Sequence, residues 1–148
     1  MPSDYPKINV GLLGMGVVGS RLAKYLLEET TCSGPPSISN LNLKSILIND
    51  SRKQRSFQPP SGILTNDPEE ILQDPTISIV VELIGGEYPA TDFITKAINA
   101  GKHVVTANKE VIAKHGSLLS DLAKKAGVAL KFEASVGGGV PTIGPLIH

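Results

Sequence analysis

The sequence predicts an α/β fold, a doubly wound, mostly parallel sheet in a single domain, and three observations carry that reading. Short β-branched apolar runs alternate with helical patterns along the chain. The first run ends in a glycine-rich turn that opens a helix, and single glycines stand where later helices should stop.

Taken in order, INVGLLG (Ile8 to Gly14) reads as a buried strand ending in glycine. Val18, Leu22, Tyr25 and Leu26 share one face of a helix expected from Val17 to Glu29. The turn-rich TTCSGPPSISN leads into a strand from Leu43 to Asn49. SRKQRSFQPPSG has no periodicity and two adjacent prolines, and reads as a surface loop. Asp67 caps the next helix, with Pro68 at its first position. ISIVVELIGG is the near-continuous apolar strand that a sheet covered on both faces requires. Pro89 to Ala100 is helical, with Gly101 as its cap. Val104 and Val105 read as a buried strand and Ala107-Asn108 as a turn. A helix then runs from Lys109 to Ala126, interrupted near Gly116 and closed by Gly127, and VALKFEA is the last strand. Five strands with intervening helices imply βαβαβ connectivity.

Composition narrows the function. The 148 residues carry a formal net charge of zero and no Trp, with three Tyr and three Phe. That balance excludes a polyanion surface and base-stacking platforms, so no nucleic-acid partner is expected. Cys32 is the only cysteine, which rules out an intrachain disulfide and suits a reducing cytosol. The N-terminus lacks a signal-peptide pattern, and no apolar run approaches the ~20 residues a membrane span needs. A soluble cytoplasmic domain without a membrane partner is the expectation.

Gly14-Met15-Gly16-Val17-Val18-Gly19 is G-x-G-x-x-G directly after a strand and at the start of a helix. Gly14 permits the tight turn, Gly16 the close approach of a pyrophosphate, and Gly19 close helix–sheet packing. The helix N-terminus offers free N–H groups and positive dipole to phosphates. These features predict a dinucleotide-binding Rossmann site. At the second strand's tip, Asp50 would hold a ribose 2′-OH, whereas Arg52, Lys53 and Arg55 would welcome a 2′-phosphate. NAD and NADP both stay open, and the basic residues tilt the reading to NADP. Gly85-Gly86, Thr106, Asn108 and Lys109, and the glycines after Ser135 also follow strand ends, so they should line the same rim. Lys109 opens a helix, where a cation opposes the macrodipole. That position favours a ligand contact, although Glu110 beside it offers partial compensation.

Together GLLGMGVVGS, VVELIGG, AGKHVVTANKEVIAKHG and FEASVGGGVP resemble the nucleotide-binding half of homoserine dehydrogenase, from about Ile8 to Pro141 and in family order. The resemblance implies NAD(P)H-dependent interconversion of aspartate-4-semialdehyde and homoserine, on the route to threonine and methionine. It makes Lys109 the candidate catalytic lysine, touching cofactor and substrate. A fixed ammonium there would favour negative charge developing on an oxygen during hydride addition. It further implies a monovalent cation such as sodium, held by Glu133 and by the backbone carbonyls of Val136, Gly138 and Val140, hard oxygen ligands that suit such an ion. From Glu133 alone, a carboxylate bonded to the glycine loop's N–H groups is the other reading. Asn49 stands where family members often carry arginine, while Asp50, Lys53 and Arg55 match the pattern. Asn49 cannot make arginine's bidentate charged pair with phosphate.

The expected organisation is an NAD(P)-binding domain over residues 1–140, with 141–148 beginning the connection to a substrate and dimerisation domain. In the family that second region supplies substrate contacts and a homodimer interface, so the chain alone is expected to bind cofactor without efficient turnover. The alternatives are a stand-alone NAD(P)-sensing module or an aspartate dehydrogenase-like oxidoreductase. The scattered His103, His115 and His148 suggest no metal site; His103 packs at a strand edge and His115 suits a helix end. Cys32 has no activating basic neighbour and reads as inert. Glu82, near the end of an apolar strand, either orients its loop by accepting N–H bonds or is a half-exposed edge carboxylate.

Overall fold

The computed structural model describes residues 6–29 and 40–135. Six strands form one sheet: β1 (Ile8–Leu13), β2 (Leu41–Leu47), β3 (Leu64–Thr65), β4 (Ile77–Glu82), β5 (His103–Thr106) and β6 (Leu130–Lys131). They lie in the order β3-β2-β1-β4-β5-β6, and every pairing is parallel. The helices are α1 (Val17–Glu29), α2 (Glu69–Leu72), α3 (Ala90–Asn99) and α4 (Lys109–Ala126). The chain winds outward from β1 to β3, then returns to lay β4 against the other side of β1. Connections leave β1 and β4 in opposite directions there, which opens a crevice above their carboxyl ends.

Two apolar layers cover the sheet. On one face, α1 contributes Ala23 and Leu26 against Val10, Leu12, Ile46 and Ile48. On the other, α2, α3 and α4 bring Ile71, Ile94, Ile98 and Leu119 onto Leu13, Leu47 and Val80. Full burial of each Val, Leu or Ile side chain among them contributes about 1.5–3 kcal/mol.

Several expectations need correction. The buried stripe of α1 is Gly19, Ser20, Ala23 and Leu26, whereas Val18 and Tyr25 are exposed. Small residues set the stripe because they let the helix approach the sheet closely. β2 starts at Leu41 and ends at Leu47, two residues earlier at each end than its apolar pattern suggests. Its polar start is anchored by an Asn42 side-chain bond to Asn9 Oδ1 at 2.7 Å. β3 adds a sixth strand: two residues long, it follows a 3-10 turn at Ser61–Ile63 and pairs with Ile46 and Leu47. No period shows in two residues. α4 runs unbroken through Gly116, whose cost of about 1 kcal/mol against alanine is outweighed by the packed turns around it. His115 therefore lies inside the helix and not at its end. β5 alternates, with Val104 buried and Val105 exposed, so it is not covered on both faces by the described residues.

The caps follow the sequence. Asp67 Oδ1 accepts the Glu69 N–H at 2.9 Å across Pro68, which is helical in φ and ψ. Gly101 and Gly127 take φ of 75° and 69°. At each, the N–H of the next residue returns to a carbonyl five positions back: Lys102 to Ala97, and Val128 to Ala123, both at 3.0 Å.

Candidate functional site

A cavity of about 330 Å³ fills the crevice above β1, β2 and β4. Gly14, Met15 and Gly16 line it from β1, Leu47 to Asp50 from β2, Lys53 and Arg55 from the loop beyond, and Leu83 and Ile84 from β4.

The three fingerprint glycines answer different demands. Gly14 has φ of 98°, and a Cβ there would lie 2.9 Å from the Leu83 carbonyl oxygen. Its N–H donates to the Leu47 carbonyl at 3.1 Å, pinning the turn to β2. At Gly19, a Cβ would come within 2.2 Å of the Gly14 carbonyl oxygen, so α1 rests directly on the turn. Gly16 differs from both: its φ is ordinary, and a Cβ would meet nothing within 4 Å. The fold itself makes no demand for glycine at 16. A group outside the chain, approaching the backbone closely, does account for it. The Gly16 carbonyl accepts the Ser20 N–H at 2.9 Å, so residue 16 stands at the helix cap with no side chain to cover the first-turn N–H groups. Val17 and Val18 at this mouth are 74% and 61% exposed.

At the tip of β2, Asn49 and Asp50 are exposed and face the cavity. Asp50 Oδ1 accepts the Arg52 backbone N–H at 2.9 Å. Arg55 folds back, donating from Nη2 to the Asp50 carbonyl at 2.6 Å and from Nη1 to the Lys53 carbonyl at 3.0 Å. Its Nε is buried with no partner among the described residues. The loop thus presents Lys53 and Arg55 to the cavity, while the Arg52 side chain is 94% exposed and does not line it.

The remaining rim residues gather beside the cavity, past Ile84. Gly85 and Gly86 take φ of 83° and 73°. Asn108 is buried, donates from Nδ2 to the Gly86 carbonyl at 2.6 Å, and caps α4 by accepting the Val111 N–H at 3.2 Å. Thr106 and Glu82 are fully buried beneath them and hydrogen-bonded to each other at 2.6 Å. Glu82 accepts a backbone N–H, from Ile84, so the loop-orienting alternative is the observed one. Lys109 begins α4, exposed, and its ammonium has no hydrogen-bond or ion-pair partner among the described residues. Glu87 ties the Gly-Gly loop to the middle of α4 through Lys114 and through His115 Nε2 at 2.7 Å. Lys114 and then His115 hold its carboxyl below the usual glutamate value. His103 accepts the Ala129 N–H through Nδ1 at 3.0 Å, a strand-edge role.

Glu133 lies half-buried in a 3-10 turn, Glu133–Ser135. Val136, Gly138 and Val140, like Cys32 and His148, fall outside the described residues. Among the described residues, no group of three or more His, Cys, Asp or Glu could hold a metal ion, and no helix is long and apolar enough to cross a membrane. The apolar walls Leu47, Ile48, Leu83 and Ile84 were not singled out from sequence; their signal was their place at strand ends.

The family model described as homoserine dehydrogenase, NAD binding domain, matches residues 14–133. The chain belongs to that family. Homoserine dehydrogenase from Synechocystis sp. is 42% identical over 139 residues, 94% of this chain and 32% of that protein. The crystal structure of S. aureus homoserine dehydrogenase at pH 7.5 superposes with a TM-score of 0.79 at 42% identity, covering 88% of this chain and 34% of that one. A hyperthermophilic archaeal homoserine dehydrogenase in complex with NADPH gives a TM-score of 0.70 at 25% identity, covering 95% of this chain and 48% of that one. The chain therefore spans about a third of the length of the first two homoserine dehydrogenases, over their NAD-binding domain. This match favours the dehydrogenase reading over a sensing module or an aspartate dehydrogenase-like enzyme.

Proposed function

We propose that this homoserine dehydrogenase NAD-binding domain holds a nicotinamide dinucleotide with its pyrophosphate over Gly14 to Gly19. In a longer polypeptide it would serve the interconversion of aspartate-4-semialdehyde and homoserine. The observation that carries the reading is Gly16, a glycine that neither the backbone nor the packing requires, at the mouth of a cavity and of a helix. Bound there, the cofactor supplies or accepts the hydride. The chain's own residues would orient it: α1 N–H groups would meet the phosphates, Asp50 or the pair Lys53 and Arg55 would meet the adenosine ribose, and Gly85 and Gly86 would flank the far half, held from beneath by the buried Thr106 and Asn108, which were expected to touch the cofactor themselves. Lys109 then stands where its ammonium would stabilise charge on the substrate oxygen.

Two cavity-lining cations support NADP, with Asp50 partly engaged by Arg52. The reading includes a domain over residues 1–140 joined through 141–148 to a substrate and dimerisation region, a cytoplasmic homodimer as the complete protein, and efficient turnover only in that form. It also includes a monovalent cation on Glu133 and the carbonyls of Val136, Gly138 and Val140.

The test is a titration with NADPH and NADH followed by nicotinamide fluorescence, which no Trp in the chain obscures. Gly16→Ala should leave thermal stability unchanged or raise it by up to about 1 kcal/mol, since the added Cβ meets nothing. It should weaken binding by about tenfold or more, the equivalent of ~1.4 kcal/mol. Wild-type affinity in Gly16→Ala, or a wild-type chain that binds neither cofactor, would refute the reading.

A further inference from the structure

Glu82 closes β4, a strand otherwise built from Ile, Val and a single Ser, and none of its surface reaches solvent. An apolar residue would suit that position, and a buried carboxylate is costly unless its oxygens are satisfied. Here each oxygen has one donor. Oε1 accepts the Ile84 backbone N–H at 2.7 Å, and Oε2 accepts the Thr106 hydroxyl at 2.6 Å. Thr106 passes the constraint on, its Oγ1 accepting the Asn108 N–H at 3.0 Å. Asn108 then uses both ends of its amide, one on the Gly86 carbonyl and the other on the Val111 N–H that starts α4. The path is continuous. It begins at Ile84, a wall of the cavity, and ends at the cap that fixes the first residue of α4, Lys109.

We propose that Glu82 is a positioning residue, whose buried carboxylate locks the Ile84 wall, the Gly85-Gly86 turn and the start of α4 into one arrangement, and so sets where Lys109 stands relative to bound cofactor. This rests on the reading that the nicotinamide half of the dinucleotide lies past Ile84, towards Lys109. No hydrogen bond of the path reaches the glycine turn Gly14 to Gly19 or the β2 tip, although Gly14 packs against Leu83 and Ile84. A loss of the lock should therefore be felt chiefly by the half of the ligand that lies past Ile84.

The experiment compares wild type with Glu82→Gln by calorimetric titration of two probes. One is NADPH; the other is 2′-phospho-ADP-ribose, which carries the adenosine and pyrophosphate but no nicotinamide. Glutamine keeps an acceptor for Ile84 but turns an NH₂ donor towards the Thr106 hydroxyl, whose proton then loses its acceptor. NADPH affinity should fall about tenfold, equivalent to ~1.4 kcal/mol, while affinity for 2′-phospho-ADP-ribose falls by less than about twofold. Equal loss for both probes would reduce Glu82 to general structural support, and loss for neither would remove its role; either overturns the proposal. A wild-type chain that binds neither probe overturns the dinucleotide reading itself, and this inference with it. Should Glu82→Gln fail to fold, amide hydrogen exchange on the wild-type chain decides. NADPH, and not 2′-phospho-ADP-ribose, should slow the Ile84, Asn108 and Val111 amides together, and the absence of that common slowing refutes the lock.

Discussion

Two lysines flank β5, and the strand carries them to opposite ends of the sheet. Lys102, at the amino end, is 3% exposed, and its Nζ donates to the backbone carbonyls of Asp74 and Ile77. Burial pushes its ammonium below the usual lysine value, the nearby Asp74 carboxylate pulls it back up, and Lys44 opposes that pull. Lys109, at the carboxyl end, is exposed at the start of a helix whose dipole it opposes. The contrast shows how one fold divides its charges. At the amino ends of the strands, Lys44, Asp74, Thr76 and Lys102 bond to one another and to backbone, and they close loops. At the carboxyl ends, Lys53 lines the crevice and Lys109 is exposed at the start of α4, and the ammonium of neither has such closure among the described residues.

The sharpest way to break this comparison is Lys102→Met. Methionine keeps most of the stem volume but removes the ammonium from the Ile77 carbonyl and leaves the Asp74 carbonyl with only the Ile77 N–H. The expected loss is about 3 kcal/mol, from a charge-assisted bond removed and buried acceptors left short. Urea denaturation measures it, and a loss below about 0.5 kcal/mol, the level of an ordinary surface substitution, would mean the burial is incidental.

A smaller effect sharpens the same end. Asp74 Oδ2 meets Lys44 Nζ at 2.6 Å, and its carboxyl is held at about 2, down from 3.8, first by Lys44 and then by Thr76. A carboxylate with a depressed folded value stabilises the fold above its unfolded value and loses that contribution as pH falls through the folded one. Stability should therefore decline between about pH 4 and pH 2. Lys44→Ala should flatten that part of the curve; an unaltered acid limb in denaturant melts at successive pH values would assign the decline to other carboxylates.

The two ends were not equally legible in the sequence. The glycine turn, the apolar β4 and the caps at Asp67, Gly101 and Gly127 are local signals: a handful of adjacent residues dictates each, and the fold uses them as read. Lys102 gave no signal, because its burial depends on the Asp74 and Ile77 carbonyls, more than twenty residues away in sequence. β3 escaped for a related reason, since two residues become a strand only because Ile46 and Leu47 present an edge to them. At the site, Lys109 was conspicuous through a local conflict with the helix dipole. The relation between Glu82 and Thr106 spans twenty-four positions and was invisible until the strands were paired.

Lys109→Ala is the smallest expected change in stability and the one that bears most directly on function. The substitution removes a cation from a helix N-terminus and puts in a better helix former, so the chain should gain a few tenths of a kcal/mol in urea denaturation. If stability falls instead, Lys109 has a structural partner, and the contrast with Lys102 collapses. If stability rises while NADPH affinity drops about tenfold, equivalent to ~1.4 kcal/mol, the lysine opposes its own helix because it faces the cofactor. A rise in stability with unchanged affinity would place its partner on the substrate. In that case the helix bears an unfavourable charge for a molecule other than the cofactor.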